Sequence, residues 1–308
     1  MDTLNSSNWN SDSASLNDSA QHTTNWAVQY NIITLVLGVI GLPGNLFVIA
    51  VYIGNMTTST KVYMFALAMA DTMVCLCAII LMNAVTIAYW TLNVALFSAD
   101  LAILFSLYLL AFVSIERLVA IYWPHKFNMS AVRAKTALCV IAVATFVCGV
   151  AFAVARLRRY EVISEILALL VIGICVITMT VCYAAIAVKL LTNARVARQK
   201  VGVVVWTLSS TDNSPAVLNS VVHKAETKQA KALRGVLLVF IVTVVFIASW
   251  LPQWMAHIGV SVSIALKRVF MLNSVLNPFI YSVASAMFRA DVRQFCSRIL
   301  SRLTACYR

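Results

Sequence analysis

Residues 274–295 read SVLNPFIYSVASAMFRADVRQF, and within them Asn277-Pro278-Phe279-Ile280-Tyr281 interrupts an otherwise apolar run. An asparagine, a tyrosine and a proline that cannot donate to a helix are each costly in such a segment, so each needs a reason. The whole chain shares the apolar character: 62% of residues are hydrophobic, 11% are charged and the mean hydropathy is +0.89. That balance belongs to a membrane protein. A helix needs about 20 mainly apolar residues to cross a bilayer. Such runs lie near 27–53, 62–88, 94–122, 136–155, 162–191, 233–257 and 265–287. The expected fold is all-α: a seven-transmembrane helix bundle over 27–287, followed by a short amphipathic helix and tail over 288–308.

Loop charges set the orientation of such a bundle, because Lys and Arg accumulate on the cytoplasmic side. With seven spans the two ends lie on opposite faces. Of 23 Lys and Arg, only Arg156, Arg158, Arg159, Lys267 and Arg268 fall on the side of the amino terminus. This predicts an extracellular tail over 1–26, a cytoplasmic carboxyl end and a multi-pass protein of the plasma membrane. The tail has no signal-peptide pattern and carries glycosylation acceptors at Asn5 and Asn17. The net charge of +12 is accounted for by anionic inner-leaflet lipid and an acidic cytoplasmic partner, with no need for nucleic acid. None of the eight cysteines falls in a predicted outer loop. Cys296 and Cys306, beside the amphipathic run 288–299, are candidate palmitoylation sites. The third inner loop is expected over 192–227, its apolar patch 201–208 being too short to cross a bilayer.

Polar groups at membrane depth face the bundle interior and mark functional paths. Those present are Asn45, Asp71, Ser106, Glu116, Arg117, Trp250, Asn273, Ser274 and Asn277. Helical spacing puts Asn273, Ser274 and Asn277 on nearly one face, and Ala99, Ser106, Leu110, Val113 and Arg117 on one stripe. A buried carboxylate must be neutralised, hydrated or paired. Asp71 has no basic residue at its depth, whereas Asn45, Ser106, Asn273, Ser274 and Asn277 offer neutral oxygens and amides. Two readings stay open: water with an allosteric sodium ion, or interhelical hydrogen bonding alone.

Five motifs, in order and on separate spans, resemble those of the rhodopsin-like G-protein-coupled receptors. They are Gly41-Leu42-Pro43-Gly44-Asn45, Leu67-Ala68-Met69-Ala70-Asp71, Ser114-Ile115-Glu116-Arg117-Leu118, Phe246-Ile247-Ala248-Ser249-Trp250-Leu251-Pro252 and Asn277-Pro278-Phe279-Ile280-Tyr281. The resemblance implies that Pro278 lets the seventh helix bend and that Tyr281 swings toward Tyr183. It implies that Glu116 and Arg117 form a lock opened to meet a heterotrimeric G protein. Phe246 and Trp250, beside Pro252, become an aromatic relay. An acidic residue at the base of the sixth span, which clasps this arginine in many members, is replaced by Ala232, so measurable basal signalling is expected.

The chain also departs from the family. The outer disulfide is missing, since Leu92 stands 25 residues before Arg117, and Cys175 replaces the usual proline of the fifth span. Melanocortin, cannabinoid and lysophospholipid receptors share both features, which keeps an acidic lipid open beside a peptide, the favoured ligand. Retinal is set aside, because 270–281 contains no lysine for a Schiff base. The ligand pocket is expected around Ala99, Asp100, Ile103 and Lys267. No enzyme motif or metal-type cluster is present, and the four histidines are scattered. The rival readings are a non-signalling decoy receptor and an ion-coupled transporter.

Overall fold

The computed structural model describes residues 32–82, 89–124, 129–158, 160–209, 237, 240–252, 254–256, 260–263, 266 and 269–306. The helices are α1 (Ile32–Tyr52), α2 (Ser59–Met82), α3 (Tyr89–Tyr122), α4 (Ala131–Leu157), α5 (Glu161–Ser209), α6 (Phe240–Ala256), α7 (Leu272–Ala284) and α8 (Ala286–Cys306). A 3₁₀ turn, Val269–Met271, leads into α7. Among the described residues the fold is all-α as expected, and its helices are consistent with a seven-helix bundle followed by an amphipathic helix. Among the described residues, α1 to α5 are each long and apolar enough to cross a membrane, and α7 with α8 forms a pair bent by 90°. The molecule is a multi-pass membrane protein.

Short polar residues set the helix starts. Thr58 Oγ1 accepts from the Lys61 N–H before α2, and Ser130 Oγ accepts from the Arg133 N–H before α4. Each hydroxyl thereby satisfies an amide that the helix itself leaves without a partner. Gly54, at φ +79°, closes α1 in the left-handed region open to a residue without Cβ.

α3 is the central post, packed against α2, α4 and α5, while α2 also meets α4 and α7. Leu107, Leu109 and Leu110 are buried along it. α4 shows the opposite pattern, with Val132, Val140, Val143, Phe146 and Val147 exposed, as a lipid-facing helix requires.

Glycines bring α1 close to its neighbours. A Cβ on Gly41 would sit 2.7 Å from Cys75 Sγ and 3.1 Å from Val275, and one on Gly44 would sit 3.2 Å from the Pro278 ring. Small residues at such seams let helix backbones approach where lipid supplies no hydrophobic drive. Gly41→Leu is therefore expected to cost about 1–3 kcal/mol by overpacking. Gly173→Leu, on α5 with open space around it, serves as the control. Thermal unfolding of the purified protein in lipid discs checks the contrast.

α5 continues as helix through Ser209, while its candidate membrane span, Ile166–Asn193, ends close to where the apolar run 162–191 does. Two boundaries differ from expectation. The seventh span ends at Ala284, not 287, because Ser285 turns the chain. Its backbone is extended (φ −97°, ψ 103°), its N–H still donates to Tyr281 O, and its Oγ accepts from the Phe288 N–H at 3.1 Å. One serine thus closes α7 and caps α8. α8 then runs to Cys306, well beyond the expected 288–299.

Candidate functional site: a polar core and a switch

Proline at position 278 decides the local geometry of α7. Lacking an N–H, it leaves the carbonyl four residues earlier, on Ser274, without its helical donor. Asn45 Nδ2 donates to that oxygen at 2.7 Å and also to Gly41 O at 3.1 Å. The asparagine of α1 thus fills the gap that the proline of α7 opens. One residue before the proline, Asn277 Nδ2 donates to Asp71 Oδ2 at 2.7 Å, joining α7 to α2.

Asn45, Asp71, Ser106, Asn273, Ser274 and Asn277, three of them grouped by helical spacing and three by their polarity within apolar spans, are all buried. Their oxygens are under-used by the protein itself. Asn45 Oδ1, Asp71 Oδ1, Ser106 Oγ, Asn273 Oδ1 and Asn277 Oδ1 are buried and make no protein hydrogen bond. Such groups are costly unless something else meets them. A small cavity of about 10 Å³, lined by Ser106, Asn273, Ser274, Ile103, Val74 and the rings of Phe246, Trp250 and Phe270, adjoins them. A carboxylate with neutral oxygens is donor chemistry for a hard cation. Among the described residues no group of three or more His, Cys, Asp or Glu suits a metal ion.

The aromatic pair on α6 extends further than its motif. Phe246 and Trp250 have ring centroids 6.1 Å apart, and Trp250 stacks on Phe270 at 4.9 Å with planes 34° apart. Phe270, in the 3₁₀ turn before α7, was missed because it stands outside the motifs and no local pattern marks it. Pro252 is half-buried on α6.

The Glu116–Arg117 pair takes an unexpected form. Arg117 Nη2 lies 3.8 Å from Glu116 Oε2, but donates to Thr60 Oγ1 of α2 at 2.7 Å. The arginine is thus held chiefly across the α2–α3 seam. Thr60 gave no sequence signal, being an ordinary polar residue at a helix start. The guanidinium does not reach outward: Arg117, Thr60, Tyr63, Met64, Leu67, Leu110, Val113, Val242 and Tyr281 line a cavity of about 50 Å³. Tyr281 is buried there with its ring edge-on to Phe288, 6.2 Å away. Tyr183 is held elsewhere, against Phe240 and the Thr243 hydroxyl.

Of the expected ligand-pocket residues, Ile103 lines the small cavity, whereas Ala99 and Asp100 are half-buried farther along α3 and do not. Lys267, Asn5, Asn17 and Ala232 lie outside the described residues. Cys296 is exposed on α8 and Cys306 is its last residue. Every cysteine whose side chain is described is free.

The fold is rhodopsin-like. The solved structure of squid rhodopsin is similar at a TM-score of 0.67, with 16% identity over 88% of this chain and 85% of that one. No family model and no characterised protein matches the chain by sequence.

Proposed function

We propose that this protein is a plasma-membrane receptor that binds an extracellular ligand and promotes nucleotide exchange on a heterotrimeric G protein, with no covalent chemistry of its own. One observation carries the reading: Arg117 and Tyr281, from α3 and α7, face a single apolar cavity. An interfacial arginine without a mechanism would extend to lipid phosphate. Here it is turned inward and held by a neutral hydroxyl, which a modest free energy can release. The excess of Lys and Arg at this end supports a cytoplasmic position for it, where a released Arg117 would meet the G protein. The amino-terminal tail, with glycans on Asn5 and Asn17, is then extracellular, and Cys296 and Cys306 are placed for palmitoylation at the inner leaflet.

The polar core supplies a second control. Asp71 Oδ1 and the unpartnered oxygens of Asn45, Ser106, Asn273 and Asn277 suit an allosteric sodium ion that favours the resting arrangement. On the outer side, Ala99, Asp100, Ile103 and Lys267 are the proposed ligand contacts. A peptide is favoured; the absence of a cysteine at Leu92 is what keeps an acidic lipid as the second reading.

Reconstitution tests the core of this. Purified protein in lipid discs, mixed with heterotrimers of each G-protein class, is expected to accelerate guanine-nucleotide exchange on at least one above empty discs. Arg117→Ala should return the rate to that background. Equal rates for both proteins, or none on any class, would overturn the reading in favour of a decoy or transporter.

A further inference from the structure

Lys61, at the start of α2, and Asp291, on α8, are 230 residues apart in sequence, yet Lys61 Nζ lies 2.7 Å from Asp291 Oδ1. Their side chains are only 10% and 9% exposed. Asn55 Nδ2, from the α1–α2 turn, donates to the same oxygen at 3.4 Å. A buried ion pair adds little net stability over an apolar pair of the same shape, but losing one partner strands a charge. What such a pair can add is position. Each residue of shift along α8 would rotate Asp291 by about 100° and break both contacts.

The position matters because of what lies next to it. Phe288, one turn before Asp291, packs against Phe47 and Tyr52 of α1 at 6.5 and 5.9 Å, and Phe295 packs against Phe47 at 6.2 Å. Tyr281 rests on the same Phe288 ring. The Ser285 N–H donates to Tyr281 O, so backbone as well as ring contacts join the tyrosine to α8. A shift of α8 removes the surface that supports Tyr281.

We propose that Lys61, Asp291 and Asn55 form a latch that fixes the register of α8 against α1 and α2 and thereby retains Tyr281 in its resting place. Opening the latch raises ligand-free coupling to the G protein. The mechanical half stands on the contacts alone, while the coupling half rests on the receptor reading.

The test uses the full-length protein in lipid discs as wild type, Lys61→Met, Asp291→Leu and the double variant. Amide hydrogen exchange over 286–306 and G-protein nucleotide exchange are read on each. Either single change should speed amide exchange in α8 by roughly tenfold, and the double variant should return to within about twofold of wild type. Wild-type exchange in both single variants would overturn the latch whatever the signalling does. A double variant as fast as the two single effects combined would overturn the ionic coupling. Faster α8 exchange with unchanged G-protein activation, while Arg117→Ala still abolishes that activation, would overturn the link to Tyr281 and leave the receptor reading intact. If no variant and not the wild type activates any G protein, the receptor reading and the coupling half fall together, and the hydrogen-exchange result decides the mechanical half alone.

Discussion

Thr60→Ala is expected to raise ligand-free G-protein activation roughly fivefold, by removing about 1 kcal/mol from the state in which Arg117 is held. The argument is local. Arg117 Nη2 has a 2.7 Å contact with Thr60 Oγ1 and a looser 3.8 Å approach to Glu116. The threonine hydroxyl is thus the principal acceptor keeping the guanidinium on the α2–α3 seam. Thr60→Ser keeps that acceptor and should stay near wild type, which separates loss of the hydrogen bond from general damage to α2. Nucleotide exchange in discs, at equal amounts of folded protein, checks both substitutions. An unchanged rate in Thr60→Ala would show that the seam contact does not restrain the arginine.

Asp71→Asn is expected to abolish the response to sodium while leaving the fold intact. An asparagine there can still accept from Asn277, so the α2–α7 contact survives. What disappears is the negative charge among the unpartnered oxygens of Asn45, Ser106, Asn273 and Asn277. For the wild type, sodium at ten times its dissociation constant should stabilise the resting state by roughly 1.4 kcal/mol. That is a rise of a few degrees in unfolding temperature. Replacing choline chloride by sodium chloride at constant ionic strength measures it, and basal exchange should fall in parallel. Asp71→Asn should show neither change. A sodium shift of equal size in both proteins would place the ion elsewhere and leave interhelical hydrogen bonding as the role of the core.

Most of this arrangement was legible in the chain, for reasons that differ by residue. Helical spacing, rigid over one turn, groups Asn273, Ser274 and Asn277. Asn45, Asp71 and Ser106 joined them because polar groups in an apolar bundle have only its interior to face. The cost of Pro278 pointed to a freed carbonyl, but not to its donor: that Asn45 serves the Ser274 oxygen is a fact of packing between helices 229 residues apart. Thr60, Phe270, Lys61 and Asp291 carry no motif in the sequence for the same reason. Each looks ordinary locally and acquires its meaning from a partner on another helix. The helical extension of α5 beyond its span has a different origin. Apolar periodicity stops near 192, yet 193–200 contains Ala, Arg, Gln and Lys with no proline, so the helix continues after the apolar span has ended. Ser285, by contrast, is a capping residue type whose signal is present in the sequence.

The most direct measurement is G-protein activation in transfected cells without ligand, comparing wild type, Arg117→Ala and Asp71→Asn at matched surface expression. A basal signal in the wild type that falls to the empty-cell level in Arg117→Ala and persists in Asp71→Asn is the predicted result. It would make the inward-turned arginine the working element of a receptor. The same signal in wild type and Arg117→Ala, or silence from all three with every G-protein class, would contradict it.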